Sequence, residues 1–207
     1  APSYNADALE FLKNKSKDIR IIEIGKLFTS EEKIYKFLIG GVIEQDRPKG
    51  LYEKWECVTK EPFPESKKNL GLFTIIATKY TKSNSIVLGM EYEKDQFKVL
   101  GSGVGQPNRV DSLKKLAIPK IYENLENMWN EGKSKVDKET FFKEKISDCV
   151  LVSDAFFPFD DTVKVAAEHN IKYIIQSGGS IRDKEVIETS DKFGISMIFT
   201  GMRYFNH

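Results

Sequence analysis

The strongest constraint lies in the last sixty residues, where short β-branched runs alternate with helical patterns. Cys149–Ser153, Tyr173–Gln176 and Ser196–Thr200 read as strands, and 162–169 and 181–193 as the helices between them. Strands joined by helices need crossover connections, so this part of the chain predicts a mainly parallel or mixed sheet covered on both faces. Upstream, Leu70, Phe73, Ile76, Ala77 and Tyr80 recur at helical spacing within 65–82. Ser85–Tyr92 and Gln96–Gly101 read as two strands joined by a turn at Glu93-Lys94-Asp95, and a helix runs from Pro107 toward Trp129. Near the start, 7–14 reads as a helix and Ile19–Ile24 as a strand. Thr29-Ser30-Glu31-Glu32 carries a helix-start signature. Residues 37–43 read as a strand interrupted at Gly40-Gly41, and the charged stretch 131–145 as a solvated connector or helix.

Composition narrows the function classes. Lys and Arg total 32 against 31 Asp and Glu, a net charge of +1, without the basic excess typical of phosphate-backbone binders. No apolar run approaches the roughly 20 residues of a membrane helix. Two cysteines, Cys57 and Cys149, support neither a disulfide framework nor a multi-cysteine zinc site. The expectation is an intracellular, cytoplasmic chain with no nucleic-acid or membrane partner.

Three loops carry chemistry. Ser153 to Asp161 (Ser-Asp-Ala-Phe-Phe-Pro-Phe-Asp-Asp) follows a strand, where open α/β sheets place ligands. Its aromatic faces beside acids suit a flat heterocycle, or else form a buried loop with Asp161 capping the next helix. Gln176 to Asp183 holds paired glycines before a helix, so it offers either free backbone N–H donors to a ligand or a tight turn capped by Ser180. It lacks the Gly-Lys-Ser/Thr ending of a P-loop. Gly101 to Arg109 is glycine-rich and ends in an arginine at a helix start, which suits a phosphate or carboxylate. In Lys82-Ser83-Asn84-Ser85 the asparagine is either a turn residue or an amide able to donate and accept at a substrate. The end, Met202 to His207, follows a core strand and carries two aromatics. No general-base histidine is placed in these loops and no Cys–His pair or zinc cluster occurs, so the residues alone describe a binding domain for a flat, anionic small molecule and reveal no reaction.

Taken together these segments resemble the formyltransferase part of the bifunctional enzymes that join 5-aminoimidazole-4-carboxamide ribonucleotide (AICAR) transformylase to IMP cyclohydrolase. The resemblance runs through Ala1-Pro2-Ser3-Tyr4, Gly40-Gly41, Gln45-Asp46-Arg47, Val58-Thr59-Lys60, Lys82 to Ser85, Gly103 to Gln106 with Arg109, Ser153 to Phe159, Gly178-Gly179-Ser180 and Arg203 to His207. It implies an α/β fold of cytidine-deaminase-like type, a three-layer α/β/α arrangement with a mixed sheet and no zinc. Residues 1–64 would end a preceding subdomain or connector, and 65–207 would form the cytidine-deaminase-like subdomain.

The implied activity is transfer of a formyl group from 10-formyltetrahydrofolate to the 5-amino group of AICAR, in de novo purine biosynthesis. Asn84 is then the catalytic residue that orients the AICAR carboxamide. Ser3, Arg109, Phe156 and Arg203 contact AICAR, and Val110, Asp161, Ser180 and Ile181 face the folate. Ser83, Ser85 and Asp154 correspond to a monovalent-cation site, with potassium as the ion. The family's proton-transferring Lys-His pair and its Arg-Tyr-Gly…Asn-Pro-His stretch do not occur here. Where some members carry a ribose-binding acid, this chain has Ile24-Gly25. The resemblance therefore implies a piece of a longer enzyme, inactive alone, whose site is completed by an N-terminal half and by a homodimer partner. The alternative is a non-catalytic folate- or nucleotide-binding subunit of a split enzyme.

Overall fold

The computed structural model describes residues 1–26, 33–47, 49–132 and 136–206. The chain forms two compact units, Ala1–Arg47 and Pro48–His207. In the first, Asn5 caps helix α1 (Ala6–Lys15), its Oδ1 accepting the Ala8 N–H at 2.8 Å. Residues 19–24 form no strand. Instead Ile24 and Gly25 donate N–H groups to the carbonyls of Ala1 and Pro2, and Ile22 stays two-thirds exposed. The helix start read at 29–32 lies outside the described residues.

The interrupted strand at 37–43 is in fact a hairpin, β1 (Lys33–Leu38) against β2 (Gly41–Asp46). Ile39 and Gly40 make a two-residue turn, and Gly40, at φ +84°, takes the position that requires positive φ.

The second unit is built on a six-stranded sheet of order β3-β8-β7-β6-β4-β5. Strands β6 (Val150–Ser153), β7 (Tyr173–Gln176) and β8 (Ser196–Phe199) run parallel, as the strand–helix alternation predicts. The hairpin of β4 (Ile86–Glu93) and β5 (Gln96–Gly103) adds antiparallel to β6, and β3 (Glu56–Cys57) adds antiparallel to β8. The unit thus begins ahead of the 64/65 division read from the sequence, because β3 pairs into this sheet and Trp55 and Phe63 pack edge-on to each other beside its core.

Side-chain alternation sorts the sheet into two faces. Val150, Val152, Ile175 and Ile198 point to the side covered by α2 (Lys68–Lys79), where Leu70 and Ile75 meet them. Leu151, Ile174 and Met197 point the other way. There they meet Ile121 and Leu125 of α4 (Ile118–Gly132), Ile146 of α5 (Lys138–Ser147), Val163 of α6 (Asp161–Glu168) and Val186 of α7 (Asp183–Lys192). Each fully buried aliphatic side chain contributes about 2 kcal/mol of transfer free energy, so both faces hold the sheet in place.

Gly101 and Gly103 belong to β5 and are not a ligand-cradling loop. A Cβ on Gly103 would lie 1.8 Å from the Ser112 carbonyl oxygen, so this glycine exists to let a helix seat on the strand. That helix starts as α3 (Arg109–Asp111) and widens to a π-helix over Ser112–Ala117 before continuing as α4.

Candidate functional site

The site grows from the end of β6. Asp154, the residue after the strand, is fully buried, and each of its polar groups is committed. Its Oδ2 accepts the Ser85 N–H at 3.1 Å and its N–H donates to the Ser85 carbonyl at 3.2 Å, which ties it to the start of β4. Its Oδ1 accepts Arg109 Nε–H at 2.8 Å in an ion pair, and its carbonyl accepts the Tyr204 N–H at 2.7 Å. One residue therefore joins the start of β4 and α3 through its carboxylate and the C-terminal segment through its backbone carbonyl.

Arg109 opens α3 behind Asn108, whose Oδ1 caps the helix by accepting the Asp111 N–H at 2.8 Å. Its guanidinium stands 5.8 Å from the Phe205 ring centre, and its Nη2 is buried with no partner among the described residues. Ser85 Oγ is likewise buried and unpartnered. Buried polar groups are almost always hydrogen-bonded, so two orphans on one carboxylate's neighbours mark a place where something else completes the bonding. Ser83, next but one, is already engaged: its N–H donates to Asn206 O and its Oγ accepts the Asn206 N–H, both at 3.0 Å.

Asn84 follows a cis Ser83–Asn84 peptide bond. Its carbonyl accepts from Ser112 Oγ at 2.8 Å, and its Nδ2 donates to the carbonyls of Gln106 (3.1 Å) and Pro107 (2.9 Å). The amide is thus fixed as a side chain whose Oδ1 accepts nothing among the described residues and remains available to an N–H donor. Opposite in sequence, Arg203 carries an exposed guanidinium 4.8 Å from the Phe156 ring centre and 5.9 Å from that of Phe205.

Two neighbouring loops extend this end of the sheet. Gln176, the last residue of β7, is buried, and its Oε1 accepts the N–H groups of Phe157 (3.1 Å) and Gly178 (3.4 Å). The Arg182 guanidinium lies 4.6 Å from the Phe159 ring centre and closes the same pair of loops at the surface. Ile181 is fully exposed. Asp161 turns its Oδ1 to the Thr162 N–H at 2.7 Å. Beside it, Lys164 holds the Asp160 carboxyl below the usual carboxylate range.

Ser180 is not the cap of the following helix. Arg182 precedes α7 and no side chain caps it; Ser180 Oγ accepts the Arg182 N–H at 3.1 Å, and the Asp183 carboxylate reaches back to accept the N–H groups of Gly179 (2.7 Å) and Ser180 (3.1 Å). These two donors are therefore already used. Val110 packs partly against the core, and α3 packs on α6, so Val110 and Asp161 sit on adjoining elements. Ser3 lies exposed in the first unit.

The structure thus brings together Asn84, Ser85, Arg109, Asp154, Phe156 and Arg203, and places Asp161, Ser180 and Ile181 on the adjoining loops. Sequence reasoning missed Gln176, Asp183 and Tyr204. Only Asp183 left a readable signal, an acid three residues after a serine at a loop–helix junction. The described histidine, His169, lies elsewhere, and burial pushes the Cys149 thiol up to about 12, so it offers no thiolate near neutral pH. Among the described residues no group of three or more His, Cys, Asp or Glu side chains is arranged to hold a metal ion. No helix there is long and apolar enough to cross a membrane.

Fold and site define a mixed-sheet α/β domain with an arginine-bearing polar end at the C-terminal edge of its parallel strands. The chain belongs to the AICARFT/IMPCHase bienzyme family, whose model matches residues 1–120. It is 40% identical over 212 residues to the bifunctional purine biosynthesis protein PurH of Lactobacillus delbrueckii subsp. bulgaricus. It is 40% identical over 209 residues to the protein of that name in Persephonella marina, and 38% over 212 residues to that of Streptococcus pneumoniae. Each comparison covers all of this chain and 36% of the relative, so the chain spans about a third of the length of the curated relatives it matches.

Proposed function

We propose that this chain supplies the nucleotide- and folate-binding part of a site that moves a formyl group from 10-formyltetrahydrofolate to the 5-amino group of AICAR, a step of purine biosynthesis. One observation carries the reading. Asn84, Arg109, Asp154 and Arg203, far apart in the chain, converge on the end of β6 and leave two buried polar atoms there unpaired among the described residues. Family membership supplies the substrates.

The 5-amino group is conjugated with the ring and carboxamide and is a weak nucleophile, so the reaction depends on holding two bound molecules in register. Asn84 Oδ1 accepts an N–H of AICAR beside the reacting amine, and its own Nδ2 cannot turn away because two carbonyls hold it. Phe156 covers a face of the base, while Arg109 and Arg203 meet the phosphate, the natural partner of a guanidinium. The pterin and its tail lie along Val110, Asp161, Ser180 and Ile181.

A potassium ion fits the chemistry of Ser83, Ser85 and Asp154, since Ser85 Oγ is an unpaired buried oxygen beside a buried carboxylate. Ser85 and Asp154 would hold such an ion, which would supply positive charge and no reactive group. Proton transfer at the amine and at the folate nitrogen falls to a Lys-His pair on a preceding segment, and ring closure to a separate domain. The domain is read as cytidine-deaminase-like, and the assembly as a homodimer.

The test is formyl transfer followed chromatographically. The 207 residues alone bind AICAR without turnover, and adding the Lys-His-bearing segment restores it. In the complete enzyme, Asn84→Ala abolishes transfer while the protein stays folded. Failure to bind AICAR, or full activity in that variant, removes the reading.

A further inference from the structure

In the segment after β8 exposure changes from residue to residue, with Asn206 exposed at its end. Arg203 is exposed, Tyr204 fully buried, and Phe205 half-buried. Tyr204 is among the largest fully buried side chains of the molecule and joins the core on the α2 side with Leu70, Ile75, Val152 and Ile198. Its hydroxyl donates to the Leu51 carbonyl and lies 3.3 Å from Thr200 Oγ1, and its N–H donates to the Asp154 carbonyl at 2.7 Å. Two residues on, Asn206 pairs with Ser83 through two 3.0 Å bonds.

By contrast Arg203 has no ion pair among the described residues; aromatic rings are its recorded neighbours. Among the described residues no ion pair therefore aims Arg203. Side chains of successive residues in an extended segment face opposite ways, so a slip of one residue inverts them all. Such a slip here would drive a guanidinium or Phe205 into the space that Tyr204 fills, and would turn Arg203 away from Phe156 and Phe205 away from Arg109.

We infer that Tyr204 is a positioning residue for anionic-nucleotide binding: its buried ring sets the register of the tail, and the register aims Arg203 directly and Arg109 through Phe205 and Asp154. This deepens the proposed function and rests on it for the ligand. No substrate touches Tyr204, and the residue acts only through the two arginines.

Calorimetric affinities for AICAR and for a folate, together with the arginine Nε–H signals of the ligand-free protein, test this. Tyr204→Ala is expected to weaken AICAR binding by roughly tenfold or more while folate affinity stays within about twofold. It also removes the slow solvent exchange of Arg109 Nε–H. Tyr204→Phe keeps the ring and loses only the hydroxyl bond, so it restores most of the AICAR affinity and keeps Arg109 Nε–H protected. Equal weakening for both ligands would show general loosening of the domain and overturn the assignment. So would unchanged AICAR affinity in a folded Tyr204→Ala protein. Should the alanine variant not fold, a Tyr204→Phe protein as defective toward AICAR as an Arg203→Ala protein would show that the ring does not set the register. If the native chain binds neither ligand, the formyl-transfer reading falls, and unchanged Arg109 Nε–H exchange in Tyr204→Ala still decides against the positioning role.

Discussion

Asp154 and Arg109 at the C-terminal end of β6, and Tyr122 and His169 beyond the opposite end of the strands, are two polar clusters on one sheet with opposite treatment of their hydrogen bonds. At the first, the carboxylate is fully buried, the arginine nearly so, and Ser85 Oγ and Arg109 Nη2 are left unpaired. At the second, Tyr122 Oη and His169 Nδ1 share a 3.1 Å bond in a cleft of about 300 Å³ that Phe142 and Ile146 also line. Polar groups there can complete their bonding with water. Burial without full pairing costs stability, and among the described residues the fold bears that cost at the end of the strands where α/β sheets receive ligands.

The comparison can be broken by stability measurements on three variants. The largest change is expected for Arg109→Met, which leaves Asp154 buried without its ion-pair partner. Urea unfolding should show a loss of about 3 kcal/mol or more; a loss below about 1 kcal/mol would mean the pair is hydrated and the contrast false. Ser85→Ala removes a hydroxyl that pairs with nothing among the described residues, so stability without potassium should change by less than about 1 kcal/mol. A larger loss would reveal a partner for that oxygen in the ligand-free protein. The same variant should lose any stabilisation that potassium gives the native chain.

The smallest effect concerns pH at the far cluster. Burial lowers the His169 pKa from its ordinary 6.5, so the unfolded chain takes up the proton first. Stability is unaffected above that value and falls as pH drops through the window beneath it. His169→Gln should flatten this acid limb in a series of urea midpoints, and an unchanged slope would assign it to other groups.

The parallel core was legible because three buried strands and the helices between them write two clear periods into residues 149–200. Residues 37–43 were harder. A glycine pair inside an apolar run fits a bulge as well as a turn, and only pairing partners distinguish them. Ile19–Ile24 has strand composition, but composition cannot supply a neighbouring strand. Gly101 and Gly103 looked like ligand-loop glycines because a close approach by Ser112, distant in sequence, leaves the same mark as a close approach by phosphate. The site residues drew together on the strength of resemblance. What no pattern showed was the bonding between them, since Asp154 meets Arg109 45 positions away and Tyr204 meets Leu51 153 positions away.

Gln176 has a kinetic consequence. Because one buried amide oxygen holds the backbones behind Phe156 and before Gly179, and the Phe159–Arg182 stack ties them again outside, the two loops behave as a single shelf. A ligand lying across both would find its seat assembled in advance, so encounter would proceed without a slow reshaping step in this part of the protein. Any gate that paces binding or release must then be hinged on some other segment.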